Sequence, residues 1–259
     1  MNRIIYSSLQ LREIFHLQFL RWLGRSLNVK YYALKGGVNL RFFFNSFRYS
    51  EDMDLDTQGV KVEMLKEIVM KILQSISFQD SLKPFGIEKV IPPDISKAKQ
   101  TETTQRFKVH LINFAEEDLF TKVEFSRRGY TGEVVVQPVS DLILRAYKLP
   151  PLLIAHYHIQ SAITQKVEAL ATRSIIQARD IFDLYILSSQ YTPHITGEIK
   201  ISNAKLTKAY ENVFGISFEQ FRDTVISYLS SEEQATYNSP SLWDEIKLKV
   251  TNFIDELRK

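Results

Sequence analysis

Residues 31–56, YYALKGGVNLRFFFNSFRYSEDMDLD, set a glycine pair (Gly36, Gly37) at the end of a short apolar run and an Asp-x-Asp (Asp52, Asp54) at the start of the next. In an extended chain successive side chains point to opposite faces, so Asp52, Asp54 and Asp56 project one way and Met53 and Leu55 the other. Carboxylates held that close repel and resist ionising together, a cost that a bound divalent cation removes. Mg²⁺ suits such a pair because it takes oxygen ligands, keeps several waters and shares the rest of its shell with substrate phosphates. Glycines admit backbone angles closed to other residues and let a phosphate reach main-chain N–H groups without a Cβ in the way. If the following VNLRFFF is helical, those groups also sit at a positive helix end, which favours a triphosphate. Together the two features have the layout of a metal-dependent nucleotidyl-transfer site. Taken singly, each has a plainer reading: a solvated strand edge for the aspartates, a tight turn for the glycines.

A third carboxylate is expected on a neighbouring strand. FTKVEFS alternates Val123 and Phe125 against Lys122, Glu124 and Ser126, so Glu124 can complete the metal site or act as a general base. The competing reading is a wet face of a half-covered sheet. Far downstream, ITQKVEALATRSIIQARDIFDLYIL carries Ile163, Val167, Leu170 and then Ile181, Leu184, Leu187 at helical spacing, which predicts two amphipathic helices. Lys166 lies on the first. Asp180 and Asp183 share one face of the second, with Arg179 beside them. A buried ion-pair network of Arg179, Asp180 and Lys166 that only fixes helix packing is the alternative to a phosphate-binding role, and for Asp183 both stay open.

The string LKGGVNLR…FRYSEDMDLD resembles the opening motif of the AbiEii/AbiGii toxin family, nucleotidyltransferases of the DNA polymerase beta superfamily. Lys35, Gly36, Gly37, Leu40, Arg41, Arg48, Ser50, Asp52 and Asp54 fall on its pattern positions. Val38 replaces a usual Thr or Ser, removing a hydroxyl that could touch a phosphate, and Asn39 stands where a small residue is common. The downstream block resembles the family's later motifs through Lys166, Ala169, Leu170, Arg173, Arg179, Asp180, Asp183 and Leu184. The resemblance implies an α/β nucleotidyltransferase fold with a mixed β-sheet and a C-terminal helical domain. It implies a Mg²⁺-dependent enzyme, the toxin of a toxin–antitoxin or phage-defence pair, moving a nucleotide from a nucleoside triphosphate to an RNA acceptor such as a tRNA 3′ end. An antitoxin encoded nearby would be its partner. Asp52, Asp54, Lys166 and Asp180 are then the catalytic residues, Gly36, Gly37, Arg41, Arg48 and Ser50 the nucleotide-binding ones, and Asp52, Asp54 and Glu124 the metal ligands. A small-molecule nucleotidyltransferase of the antibiotic-modifying kind and a non-catalytic nucleotide- or RNA-binding module are the two alternatives; the basic residues near the motifs speak against an acidic pocket for a cationic acceptor.

The rest of the chain must position these groups. Its 259 residues, 44% apolar and 24% charged, are ordinary for a soluble protein of one or two domains. Thirty-three basic against thirty acidic side chains leave +3, too little for a whole-molecule field that attracts nucleic acid. Zero cysteines exclude thiol catalysis, disulfides and thiolate metal sites, and five scattered histidines make no zinc cluster. MNRIIYSSLQLREIF has no signal core and no apolar run approaches the ~20 residues of a membrane span, so a cytoplasmic protein is expected. Patterning predicts a first helix over about 7–27, an α/β domain to residue 140 and a helical domain over 141–259. YYAL, MDLD, RFKVHLIN, TKVEFS and GEVVVQPV read as strands and VEMLKEIVMKILQSI as a helix. IPPDISKAKQTETTQR reads as an exposed connection, Ser140–Asp141 as the cap of DLILRAYKL ahead of Pro150–Pro151, and Phe214, Phe218, Phe221 and Trp243 as core.

Overall fold

The computed structural model describes residues 5–193 and 198–258. The chain forms two compact units, one comprising the residues up to Phe43 together with Tyr49–Tyr157, the other Phe44–Arg48 together with the residues from His158 onward.

The first unit is built on a seven-stranded mixed sheet. Its strands are β1 (Tyr32–Lys35), β2 (Met53–Thr57), β3 (Ile87–Ile91), β4 (Thr104–Asn113), β5 (Asp118–Ser126), β6 (Val134–Pro138) and β7 (Leu153–Tyr157), in the order β3-β4-β5-β2-β1-β7-β6. Alternation accounts for the long strands: Phe107, Val109 and Leu111 of β4 and Val123 and Phe125 of β5 are fully buried, while Arg106, Lys108, Lys122 and Glu124 between them are not. β2 runs parallel to β5 and antiparallel to β1, and β1 is parallel to β7. Two strands escape the pattern. In β3 the charged pair Glu88–Lys89 falls at a register shift, and β7 follows Pro150–Pro151 inside a stretch that reads as helical. Because β7 pairs with β1 and β6, the first unit runs to Tyr157, and the segment 141–157 lies on the sheet side of a division expected at residue 140.

Helix α1 (Ser8–Ser26) opens on a Ser7–Gln10 capping box, which satisfies two end groups reciprocally. Its middle is buried nearly all round, including Glu13, His16 and Gln18 beside Phe15, Leu17, Phe19 and Leu20. Buried polar groups require partners. Glu13 takes the Arg41 guanidinium at 2.7 Å and the Tyr147 hydroxyl at 2.5 Å, and His16 meets Thr121 at 2.9 Å. The remaining helices of this unit are α2 (Gly36–Phe43), α3 (Val62–Gln74), α4 (Ile76–Leu82) and α5 (Asp141–Ala146). At α5 the expected side-chain cap is absent. Ser140 instead gives its backbone N–H to the Phe42 carbonyl at 2.9 Å, and the helix stops before the prolines, with Lys148 at φ +53°.

The second unit is helical: α6 (Ile159–Thr172), α7 (Ala178–Ser188), α8 (Asn203–Val213), α9 (Phe218–Thr224), α10 (Ser231–Tyr237) and α11 (Pro240–Glu256). Trp243 stacks on Phe221 with centroids 4.2 Å apart and gives its indole N–H to the Ile216 carbonyl, so both are core as expected. Phe214 is not. It is 55% exposed just past α8, where it packs edge-on against Tyr210, its neighbour one turn back.

Candidate active site

β1 passes into α2 without a loop, and Gly36 makes the turn at φ +69°. A side chain there would be strained by the left-handed backbone, and its Cβ would stand 3.3 Å from Asp54 Oδ2. The glycine therefore sets how closely the helix start approaches the carboxylate. The first turn of α2 leaves its N–H groups without intrahelical acceptors, as the anion reading of the glycine pair requires.

Sheet pairing then gathers the acidic residues. Lys35 lies opposite Asp54 across the β1–β2 ladder, and Asp54 lies opposite Glu124 across the β2–β5 ladder. Met53 and Leu55 point into the core, so the aspartates face away from it. Three of the four carboxylates are engaged. Asp52, just ahead of β2, meets the Lys122 ammonium at 3.0 Å; Glu124 takes Arg106 Nε at 2.6 Å; Asp56 is buried and bound by Lys35 and, at 2.5 Å, by the Tyr157 hydroxyl. Burial and the hydrogen bond to Asp56 push the Tyr157 hydroxyl pKa up. The half-buried Asp54 side chain has neither a hydrogen bond nor an ion pair to a described residue. Burial raises its pKa, Lys122 and Lys35 oppose the rise, and Glu124 and Asp52 add to it.

Carboxylate oxygens are hard donors, and Mg²⁺ is commonly held by one or two of them plus substrate phosphates, so Asp52 and Asp54 fit that ion chemically. Among the described residues no group of three or more His, Asp or Glu is arranged to hold a metal ion by itself, and Glu124, expected as a third ligand, is on Arg106. The nucleotide-binding expectations divide. Gly36 adjoins Asp54, and Gly37 follows it in the first turn of α2. Arg41 is turned to Glu13 and lies over the Tyr49 ring at 4.3 Å. The Ser50 hydroxyl donates to the Asp52 carbonyl at 2.8 Å, and Arg48 belongs to the other unit. Asn39 is a structural clamp, its amide giving a hydrogen bond to the Tyr157 carbonyl at 3.1 Å and its Oδ1 meeting His156 at 2.9 Å. Sequence reading missed Tyr157, for which β7 offered no alternating signal.

In the second unit Lys166 and Asp180 sit in a buried ion-pair network. Lys166 Nζ lies 3.0 Å from Asp180 and 2.6 Å from Asp183; Arg48 forks onto Asp183 with two contacts of 3.1 Å; Arg173 pairs with Asp180. Asp183 is thus a member. Arg179, expected in such a network, is exposed, and Arg173 and Arg48 take the cationic places. Burial alone would raise the Asp183 carboxyl, but Arg48 and Lys166 outweigh it and hold it below the ordinary range. Burial alone would lower Lys166, and Asp183 and Asp180 outweigh it upward.

This fold is one that solved nucleotidyltransferases share. MenT4, a nucleotidyltransferase toxin from Mycobacterium tuberculosis H37Rv, superposes with a TM-score of 0.65 at 16% identity, covering 96% of this chain and 84% of its own. JHP933 from Helicobacter pylori superposes with a TM-score of 0.55 at 17% identity, covering 98% and 93%. No curated protein matches the sequence. Residues 18–250 match the family described as nucleotidyl transferase AbiEii toxin, type IV TA system, and the chain belongs to that family.

Two outcomes follow from this geometry. Gly36→Ala is expected to cost about 1–2 kcal/mol of stability through the left-handed backbone, read by urea denaturation, and to weaken nucleotide binding by crowding Asp54. Asp183→Asn is expected to cost about 3–5 kcal/mol, because Arg48 and Lys166 stay buried with one counter-charge fewer. The depressed Asp183 contributes stability that is present above the ordinary value of 3.8 and lost as pH falls through its lower folded value. The raised Lys166 contributes stability that is present below 10.5 and lost as pH rises through its higher folded value. The difference between wild type and variant should accordingly be flat across neutral pH and shrink toward either extreme in a pH series of denaturation curves.

Proposed function

We propose that this toxin is a Mg²⁺-dependent enzyme that moves a nucleoside monophosphate from a nucleoside triphosphate onto an RNA acceptor, with a tRNA 3′ end as the acceptor of choice and an antitoxin encoded nearby as its partner in the pair. The observation that carries this reading is Asp54: a half-buried carboxylate with a raised pKa, no hydrogen-bond or ion-pair partner among the described residues, and Gly36 closing on it. Titratable groups perturbed by burial and by neighbouring charges concentrate at functional sites.

Asp52 and Asp54 would hold the ion, which when bound neutralises charge on the triphosphate and on the leaving pyrophosphate. The N–H groups of Gly36 and Gly37 would receive phosphate oxygens at the start of α2. Lys122 and Lys35, which already act on Asp54 electrostatically, add positive charge beside the same phosphates. An acceptor hydroxyl would attack the α-phosphorus in line and release pyrophosphate, with positioning and charge stabilisation supplying most of the acceleration. Glu124 is a candidate base for the hydroxyl proton once Arg106 yields it. Lys166 is the phosphate-binding cation of the second unit and Asp180 its orienting carboxylate. No helix of the described residues is long and apolar enough to cross a membrane.

Calorimetry with a nucleoside triphosphate should give Mg²⁺-dependent binding that Asp54→Ala weakens. Equal affinity in both proteins, with and without Mg²⁺, would remove Asp54 from the site. Lys166→Ala should lower the melting temperature, since it opens a buried network, and at temperatures where the variant stays folded it should slow transfer by about 10²–10³ and relieve growth arrest. A folded variant that transfers and arrests growth like wild type would leave Lys166 with packing alone.

A further inference from the structure

Asp52 stands one residue before β2, outside the ladder that fixes Asp54. Its position depends on side chains. The parallel register pairs Met53 with Val123 and Asp54 with Glu124, and two side-chain contacts continue it backward: the Thr121 hydroxyl donates to the Glu51 carbonyl at 2.6 Å, and Lys122 reaches the Asp52 carboxylate at 3.0 Å. A hydroxyl has one proton, and a carbonyl can only accept. Thr121 Oγ1 must therefore accept from His16 Nε2 at 2.9 Å, which fixes the Nε2–H tautomer of that ring. His16 and Thr121 are both buried. One turn earlier on α1, Arg12 Nε donates to the Phe120 carbonyl at 2.8 Å and its Nη2 lies 3.6 Å from the Glu51 carboxylate. α1 thus grips β5 at two consecutive residues and, through them, the main chain ahead of Asp52.

We propose that His16 and Thr121 are positioning residues for Asp52: the relay His16 Nε2–H to Thr121 Oγ1 to the Glu51 carbonyl holds the peptide that directs the Asp52 carboxylate toward its cation. This rests on the metal reading of Asp52 given above. Burial, outweighing the attraction of Asp52, lowers the His16 pKa to about 3, so the ring stays neutral through the physiological range and serves as a fixed donor rather than as an acid or base. An uncharged donor also suits its place, since an imidazolium there would compete for the Asp52 carboxylate.

The test measures the Mg²⁺ concentration that half-saturates binding of a non-hydrolysable triphosphate analogue, by calorimetry on the full chain, in wild type, Thr121→Val, Thr121→Ser and His16→Phe, together with amide hydrogen exchange of residues 50–53 in metal-free protein. Thr121→Val keeps the shape and deletes the hydroxyl; it should raise the required Mg²⁺ about three- to tenfold, as loss of one hydrogen bond allows, and speed exchange in that segment. Thr121→Ser should restore both. His16→Phe, which keeps a ring and removes the donor, should move both in the direction of Thr121→Val and gives a second arm if that variant does not fold. A folded Thr121→Val with the wild-type Mg²⁺ requirement, or a Thr121→Ser as impaired as Thr121→Val, would overturn the relay while leaving the metal site standing. Wild-type binding that ignores Mg²⁺ would instead overturn the metal reading, and the relay's purpose with it.

Discussion

Four carboxylates, Asp52, Asp54, Asp56 and Glu124, lie on or beside two adjacent strands, and the unit around them is organised by the need to offset their mutual repulsion. At separations of a few ångströms near a protein surface such repulsion amounts to several kcal/mol per pair unless opposite charge is interposed. Lys35 and the Tyr157 hydroxyl serve Asp56, Lys122 serves Asp52 and Arg106 serves Glu124. The shortfall is left on Asp54. The same glycine that allows α2 to begin directly at the end of β1 brings the helix start against that carboxylate. The positive helix end and a carboxylate without a direct partner among the described residues are therefore built side by side, an arrangement that a triphosphate and its cation would satisfy together.

The two units manage buried charge in different ways. Around α1 the polar groups are neutral or singly paired and serve to join elements: Glu13 to α2 and Tyr147, His16 to β5. In the helical unit three cations, Arg48, Lys166 and Arg173, surround two buried aspartates. Such a network is costly to disrupt even where it adds little net stability over an apolar core, because removing one member strands the others. It joins the short segment Phe44–Arg48 to α7 of the same unit by a charge contact spanning 135 positions of sequence.

Much of this was legible in the chain. Short apolar runs and period-two alternation located five of the seven strands, and helical periodicity located α6 and α7. The glycine pair and the Asp-x-Asp announced a strand–helix junction beside a carboxylate cluster. What could not be read were the partners. β3 hides a register shift at Glu88–Lys89, and β7 carries no alternation, so Tyr157 and the clamp from Asn39 were invisible. Arg41 and Arg48 match the motif equally well by type, but tertiary pairing with Glu13 and Asp183 decides where each guanidinium goes. Arg173 replaces Arg179 in the network for a related reason. Sequence adjacency to Asp180 put Arg179 forward, whereas on a helix adjacent residues face different ways. His16 gave no signal either, being a lone histidine in an apolar helix whose meaning depends on a strand more than a hundred residues away.

The role proposed for the Asp52–Asp54 pair is to support transfer of a nucleotide to RNA. Incubating the protein with each α-labelled nucleoside triphosphate, Mg²⁺ and total cellular RNA, and resolving the RNA by size, tests it most directly. Label from at least one triphosphate should appear on an RNA species, chelating the divalent cation should abolish it, and Asp52→Ala should abolish it in a protein that remains folded. Label that appears only on a small molecule, that persists in the chelator, or that Asp52→Ala leaves unchanged would contradict it.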